Sequence, residues 1–445
     1  MLHPISTPSA FLFWTALPDA DTDFTAEDPL ALDYLAQQVG NWMFPGFTTR
    51  TSQAQYYLVV LYGLYLADAA VQHYGLRGDD DTRTELFERW ERLWALATLE
   101  HRSGQIPRGD GDAMRGIRGA KRAWRPGKKP LPLHFSLISR QKELGGLGAY
   151  LSSLRHHRLV VDHTLRPSPI ALDLLEDFWS EAGAHGRSDL YERYALSALE
   201  PKRDSIPRRS GAVTLALVGQ KTRLSAIRAR GRRRTRDQLW HILFESARDP
   251  TTLPLARQLQ AAGEDVSHPS DLLAGMLDGA WGALGEQQRQ SVELAQAFGD
   301  VAVGLLDHFD RVYESVHDAG AIADADACAR TVFSRPQTHA LRGHCARLLE
   351  HPLHDSFQKL AFHGRPFLKI AGQLVSTDPL ECLDALLGYH REVQRTRRGG
   401  DLLVREGSKL TLPLSQYNGY RSEARFPSFK LWEIRNLLRD LGRLG

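Results

Sequence analysis

Twelve consecutive residues, Tyr56 to Ala67 (YYLVVLYGLYLA), carry no charge, and the run ends only at Asp68. A helix that is apolar on every side has to be enclosed by other elements. The run is also too short for a bilayer, which takes about 20 apolar residues. It therefore predicts a buried central helix, and the flanking chain has to supply its walls. Residues 28–99 read as helical on both sides of it. In ELFERWERLWALATLE, Leu86, Phe87, Trp90, Leu93, Trp94 and Ala97 recur at steps of three and four, which places the aromatics on one face and makes that face core.

Immediately before the run stands NWMFPGFTTRTSQAQYY, from Asn41. Pro45-Gly46 ends a preceding helix, and Ser52 with Gln55 has capping-box spacing, so its hydroxyl is expected to satisfy the amides that open the next helix. Arg50 beside Thr48, Thr49 and Thr51 adds a group able to hold an anion at that helix start.

At 445 residues, 42% of them hydrophobic, the chain suggests two or three domains. We expect a mostly α, multi-helical protein with a winged-helix-like unit and a small C-terminal β-hairpin. The expected divisions are an N-terminal helical domain over 1–134 that carries a basic loop at 101–134, a helical middle region over 135–335 that carries an Arg-rich segment at 221–236, and a helix-hairpin-helix region over 336–445. The winged-helix-like succession is a helix over Ala149 to His157, an apolar stretch from Leu159 to Val161 and a helix from Ser168, with Arg155, His156, His157 and Arg158 on the middle helix. The hairpin is LLVREGSKLTL, turning at Gly407-Ser408. In the closing helix Arg435, Arg439 and Arg443 recur every four residues, placed either for the helix dipole or for a partner.

Charge is informative by location. Net charge is +3, but the 56 basic residues divide into 46 Arg and ten Lys. Arg presents a fork that suits phosphate and carboxylate. Between Asp112 and Glu143 there is no acidic residue, while Arg115, Arg118, Lys121, Arg122, Arg125, Lys128 and Lys129 surround Trp124. A loop of this composition suits contact with a phosphate backbone and stacking on a base. From Lys221 to Arg236, eight of sixteen residues are basic: Lys221, Arg223, Arg228, Arg230, Arg232, Arg233, Arg234 and Arg236. Such density repels itself unless something negative lies close by. Nucleic acid, DNA rather than RNA, is the expected partner, and an acidic protein is the alternative.

No phosphate-cradling GxxxxGK[ST] or GxGxxG, no GxSxG elbow and no HExxH occurs, so no cofactor, bound metal or catalytic residue is assigned. The cluster His339, His344, Cys345, His351, His354, Asp355 and His363 has ligand-like residue types without matched zinc spacing. Asp401, Glu406 and Lys409 resemble an acidic and lysine Mg²⁺ set, but on one strand Glu406 and Lys409 would face opposite ways. Three cysteines, an odd number, argue against a disulfide framework and for a reducing cytoplasm.

The residues Phe44, Pro45, Gly46, Thr48, Thr51, Tyr56 and Tyr57, and more loosely LGGLGAYLSSLRHHRLV, resemble an uncharacterised bacterial defence-island family with a Leu/Phe-Pro-Gly-Thr motif. The resemblance spans residues 33–68 and 144–160; Phe47 after the Gly and the Arg-dense middle depart from the pattern. Members are encoded beside helicases and phospholipase-D-like nucleases in antiphage clusters. The resemblance thus implies a defence role; together with the Arg-rich segments and the basic loop it gives the expectation of a nucleic-acid-binding, non-catalytic subunit of an antiphage defence complex, partnered by a helicase or nuclease subunit. A nuclease effector and a scaffold for an acidic protein are the alternatives.

Overall fold

The computed structural model describes residues 28–106, 114–179, 188–222, 227–228, 232–247, 249–397, 399–413 and 417–444. The helices in chain order are α1 (Leu32–Met43), α2 (Ala54–Tyr74), α3 (Asp80–His101), α4 (Ile117–Ala123), α5 (Gln141–Leu144), α6 (Gly146–His156), α7 (Pro169–Leu175), α8 (Ser188–Ala198), α9 (Leu215–Thr222), α10 (Arg233–Trp240), α11 (Thr252–Ala262), α12 (Pro269–Leu277), α13 (Glu286–Asp318), α14 (Ala325–Phe333), α15 (Pro336–Leu349), α16 (His354–Gln358), α17 (Gly364–Gln373), α18 (Pro379–Arg397) and α19 (Leu431–Asp440). The strands are short: β1 (Leu131–Pro132), β2 (Ser205–Ile206), β3 (Arg209–Ser210), β4 (Val213–Thr214), β5 (Ile322–Asp324), β6 (Val404–Glu406) and β7 (Lys409–Thr411). The mostly α, multi-helical class read from periodicity is the class observed.

The chain divides into two compact units whose segments interleave in sequence. One holds the residues up to Gly40, Pro269–Asp278 and Arg289–Phe429; the other holds Asn41–His268, Gly279–Gln288 and Lys430–Gly445. Neither expected boundary, 134/135 or 335/336, coincides with these. The reason is that segments distant in sequence return to complete each core, which composition along the chain does not reveal.

In the second unit α2 is the central helix. By length and composition it would cross a membrane, yet 83% of its apolar window is buried inside the protein. Gly63 is where α3 approaches most closely, since a Cβ there would lie 2.3 Å from Cδ1 of Trp90. The Trp90 indole donates to the Val59 carbonyl at 3.0 Å, which satisfies its one polar atom inside the core. On its other side α3 packs α9 backbone to backbone, where Gly219 has no room for a Cβ beside the Ala97 carbonyl. Trp94 donates to the Thr222 carbonyl at 2.8 Å. Leu86, Phe87, Trp90, Leu93, Trp94 and Ala97 are all buried, as their periodicity predicts.

The start of α2 differs from expectation. Its N-cap residue is Gln53, which makes no side-chain cap, so the Ser52/Gln55 capping box does not form. The Ala54 amide instead donates to the Asp440 carboxylate at 3.0 Å, from α19. A carboxylate of the chain itself thus caps this helix start. The preceding turn is held by Lys430, whose buried ammonium donates to the carbonyls of Phe44 and Phe47 and to the Asn41 side chain.

The winged-helix-like stretch consists of α6, a single bridge between Val160 and Pro167, and α7. No wing sheet forms there among the described residues. His157 is buried against the Phe47 ring, so that turn of α6 is committed to the core.

In the first unit a cluster of Phe298, Phe357, Phe367 and Phe429 fills the interior beside the long helix α13. The hairpin turns at Gly407-Ser408 as read, and β5 joins it to give the order β5-β7-β6. His390 is buried between the Pro29 carbonyl, at 3.0 Å from Nδ1, and the Leu402 amide, at 2.9 Å from Nε2. That geometry fixes a neutral ring with its proton on Nδ1.

Candidate nucleic-acid interface

Of the expected basic loop over 101–134, residues 107–113 lie outside the described residues, and the rest holds more secondary structure than its composition suggests. Helix α3 runs on to His101, α4 occupies Ile117–Ala123, and β1 pairs with β2 through Leu131 and Ile206. Helix α4 forms because Ile117, Gly119 and Ala120 make one small apolar face; a Cβ on Gly119 would lie 2.1 Å from the Leu137 carbonyl oxygen. That close approach turns Arg118, Lys121 and Arg122 outward, and all three are exposed.

Trp124 closes the helix. Its indole donates to the Glu100 carboxylate at 2.7 Å and packs on Gly104, and the Lys121 ammonium sits 4.8 Å from the ring centroid. Arg208 also bonds Glu100 and reaches the carbonyls of Arg125 and Lys129, the latter at 3.0 Å. The aromatic expected to stack on a base is thus tied to the protein, and the Glu100 carboxylate is spent on Trp124 and Arg208. Arg125, Lys128 and Lys129 follow on an exposed stretch fastened at Arg208 and at β1. Among the described residues no carboxylate is paired with Arg118, Lys121, Arg122, Arg125, Lys128 or Lys129. Arg115, at the start of the segment, gives its amide to the Tyr56 hydroxyl at 2.6 Å.

The Arg-rich segment is arranged otherwise. Arg228 bonds the buried Asp440, with Nε at 2.8 Å, and Arg232 donates to the carbonyls of Asp177 and Phe178. Arg234 faces Glu176 at 3.6 Å and Arg233 faces Asp237 at 3.7 Å. Arg236 lies against Gly442, and the Lys221 ammonium is 6.0 Å from the Tyr191 ring. Arg223 and Arg230 lie outside the described residues. The self-repulsion of this run is therefore relieved largely from within the chain. The α19 arginines behave alike: Arg435 donates to the carbonyls of Gly263 and Val266, Arg439 pairs with Glu264 at 2.7 Å, and Arg443 with Asp237 at 2.8 Å.

The two sets read for metal chemistry stay dispersed. No three His, Cys, Asp or Glu side chains converge on a common point among the described residues. His351 accepts from the Leu353 amide at 3.1 Å, His363 packs edge-on to Tyr34, and Cys345 is buried. Asp401 pairs with Arg391 at 3.4 Å. Glu406 and Lys409 stand directly opposite in the β6-β7 register, because the turn falls between them. They share a face, against the expectation of opposite faces.

In the same unit lies Glu91, a buried carboxylate that accepts from the Gln141 side chain at 2.9 Å and from the Gly146 amide at 2.6 Å. Burial pushes its carboxyl up to about 7, against those two hydrogen bonds. Since the folded value is raised, its contribution to stability is complete below the unfolded value near 4.5 and is lost as pH rises through about 7. The expected result is that Glu91→Gln removes about 2 kcal/mol of the stability decline between pH 4.5 and 7. Urea unfolding of both proteins at intervals across that range measures it; parallel curves would refute the assignment. Lys430 works in the opposite sense, because burial pulls its ammonium down to about 7 and favours folding as pH rises above that value.

The fold thus defines a multi-helical protein with small antiparallel strand pairs and a basic surface to which no carboxylate is paired among the described residues. Comparison with family models, with characterised proteins and with solved structures finds no match to the chain.

Proposed function

We propose that this protein binds nucleic acid through the phosphate backbone, with α4 and the 124–130 stretch as the contact surface. One observation carries the reading: six cations, Arg118, Lys121, Arg122, Arg125, Lys128 and Lys129, occupy a fastened segment with no carboxylate paired to them among the described residues. Concentrating charge in this way costs folding free energy, and an external polyanion offsets that cost. Phosphate contacts position a protein without reading sequence, so binding is general. The role in this reading is non-catalytic. Its setting, an antiphage complex with a helicase or nuclease subunit, follows from the resemblance of residues 33–68 and 144–160 to the defence-island family.

The test is binding to labelled duplex DNA, single-stranded DNA and RNA across a salt series, with Mg²⁺ or Mn²⁺ in parallel and the products run on gels. Six phosphate contacts give a slope of log K on log salt of about −5 on duplex. Binding with that slope and intact substrate supports the proposal. Absence of binding at low salt refutes it and points to an acidic protein as the ligand of the same surface. Metal-dependent cleavage would make the protein an effector nuclease.

A further inference from the structure

Beside Arg115 the second unit contains a cavity of about 240 Å³ whose lining includes Arg50, Ser52, Tyr56, Arg115 and Tyr150. Its floor is aromatic: Tyr56 stacks on Tyr150 with centroids 5.3 Å apart and planes 13° from parallel. Tyr150 is fixed by its hydroxyl, which bonds the Gln53 amide at 3.3 Å and the Gln53 carbonyl at 3.2 Å. The Tyr56 hydroxyl accepts from the Arg115 amide at 2.6 Å, and among the described residues no acceptor takes its own proton. Tyr56 is 3% exposed, so a deeply buried donor is left without an acceptor at the cavity.

Of the side chains that line the space, Arg50 and Arg115 bring only donors, Ser52 and Tyr56 bring hydroxyls, and Gln53 brings an amide that can donate or accept. Neither Arg50 nor Arg115 is paired with a carboxylate among the described residues; the Arg115 guanidinium has only the Leu144 carbonyl, at 3.5 Å. The carboxylate behind Tyr56, that of Glu91, is occupied by Gln141 and Gly146. Two guanidinium forks with the hydroxyls of Tyr56 and Ser52 match an oxyanion that accepts on several oxygens. Size narrows the ligand. Sites for drug-sized molecules run from about 300 to 1,000 Å³, so 240 Å³ holds a phosphate and part of its sugar but not a whole nucleotide. A phosphomonoester at a strand end offers three free oxygens to two guanidinium forks, whereas a backbone phosphodiester offers two. Arg115 also opens the segment that carries Arg118 and Arg122, so a strand on that surface lies next to the cavity in sequence and in space.

We propose that this cavity receives the terminal phosphomonoester of a nucleic-acid strand, held by Arg50, Arg115, Ser52 and Tyr56; the inference rests on the nucleic-acid reading for the source of that phosphate.

The experiment compares short single strands bearing a 5′-phosphate, a 3′-phosphate or hydroxyls at both ends, by fluorescence anisotropy with wild type, Arg50→Gln and Tyr56→Phe. One phosphorylated end is expected to bind about tenfold tighter than the hydroxyl-ended strand, and Arg50→Gln to abolish that preference. Arg50 is exposed, so this variant folds; Tyr56→Phe, a core change, gives the same readout where it folds. Equal affinity for all three strands overturns the proposal while leaving general binding intact. If no strand binds, thermal unfolding with millimolar inorganic phosphate or nucleoside monophosphate decides. A rise in melting temperature that Arg50→Gln removes upholds the cavity without the nucleic-acid reading, and no rise overturns it.

Discussion

Replacing Arg118, Arg122, Arg125, Lys128 and Lys129 together by Gln is expected to lower affinity for mixed-sequence duplex by about a thousandfold or more at 0.1 M salt, since each phosphate contact adds about 0.9 to the salt slope. The slope itself should flatten by about 4. In contrast, Arg233→Gln with Arg234→Gln should change affinity less than about threefold, because those two side chains already face Asp237 and Glu176. Anisotropy titrations at four salt concentrations measure both variants. The loop substitutions remove exposed side chains without carboxylate partners among the described residues and relieve their mutual repulsion, so the melting temperature should hold or rise, and a fall would mark loss of the fold. An equal loss in the two variants would move the working surface to the Arg-rich segment. Full retention by the loop variant would remove the surface from contention altogether.

The contrast between these two segments marks the limit of what the sequence reveals. By density of charge, 221–236 is the stronger candidate, with eight basic residues in sixteen against a more diluted run at 115–129. Density along the chain does not say what stands across from each side chain. Asp440 meets Arg228 from 212 residues away, and the carbonyls of Asp177 and Phe178 meet Arg232 after a reversal of the chain. The acid-free interval from Asp112 to Glu143 marks unpaired cations better, because among the described residues the carboxylates that return to it are engaged elsewhere, Glu100 by Trp124 and Arg208 and Asp204 by His134. Trp124 shows the converse: its aromatic character was legible and its tether to Glu100 was not.

Helices were readable for a different reason. The stripe from Leu86 to Ala97 and the run from Tyr56 to Ala67 are set by local periodicity, which tertiary contacts reinforce and do not redirect. Gly63 and Gly219 mark contacts between α3 and its neighbours, but a glycine inside a helix does not declare which partner backbone it admits. The interleaving of the two units was equally silent, since α19 joins a core built mainly from 41–268 through one buried arginine, Arg435, and one aspartate, Asp440.

That aspartate gives the largest expected effect on stability. Asp440 is 3% exposed; one carboxylate oxygen accepts from the Ala54 amide at the start of α2 and the other from Arg228. Asp440→Ala leaves an uncapped amide in a buried helix start and should cost about 3 kcal/mol in urea unfolding. Arg228 softens the loss, because its side chain is 40% exposed and can turn into solvent. Asp440→Asn keeps an acceptor for Ala54 and gives up only the charge, so it should cost about 1 kcal/mol. The order of the two variants is the discriminating result. If Asn is as damaging as Ala, the ion pair with Arg228 dominates and the cap is secondary; if Ala is within 0.5 kcal/mol of wild type, a threshold for ordinary surface changes, the helix start is held by other means. Because α2 opens one residue after Gln53, beside Ser52 and Tyr56, the Ala variant should also weaken any ligand of the adjoining cavity, linking the stability of this helix start to what the cavity holds.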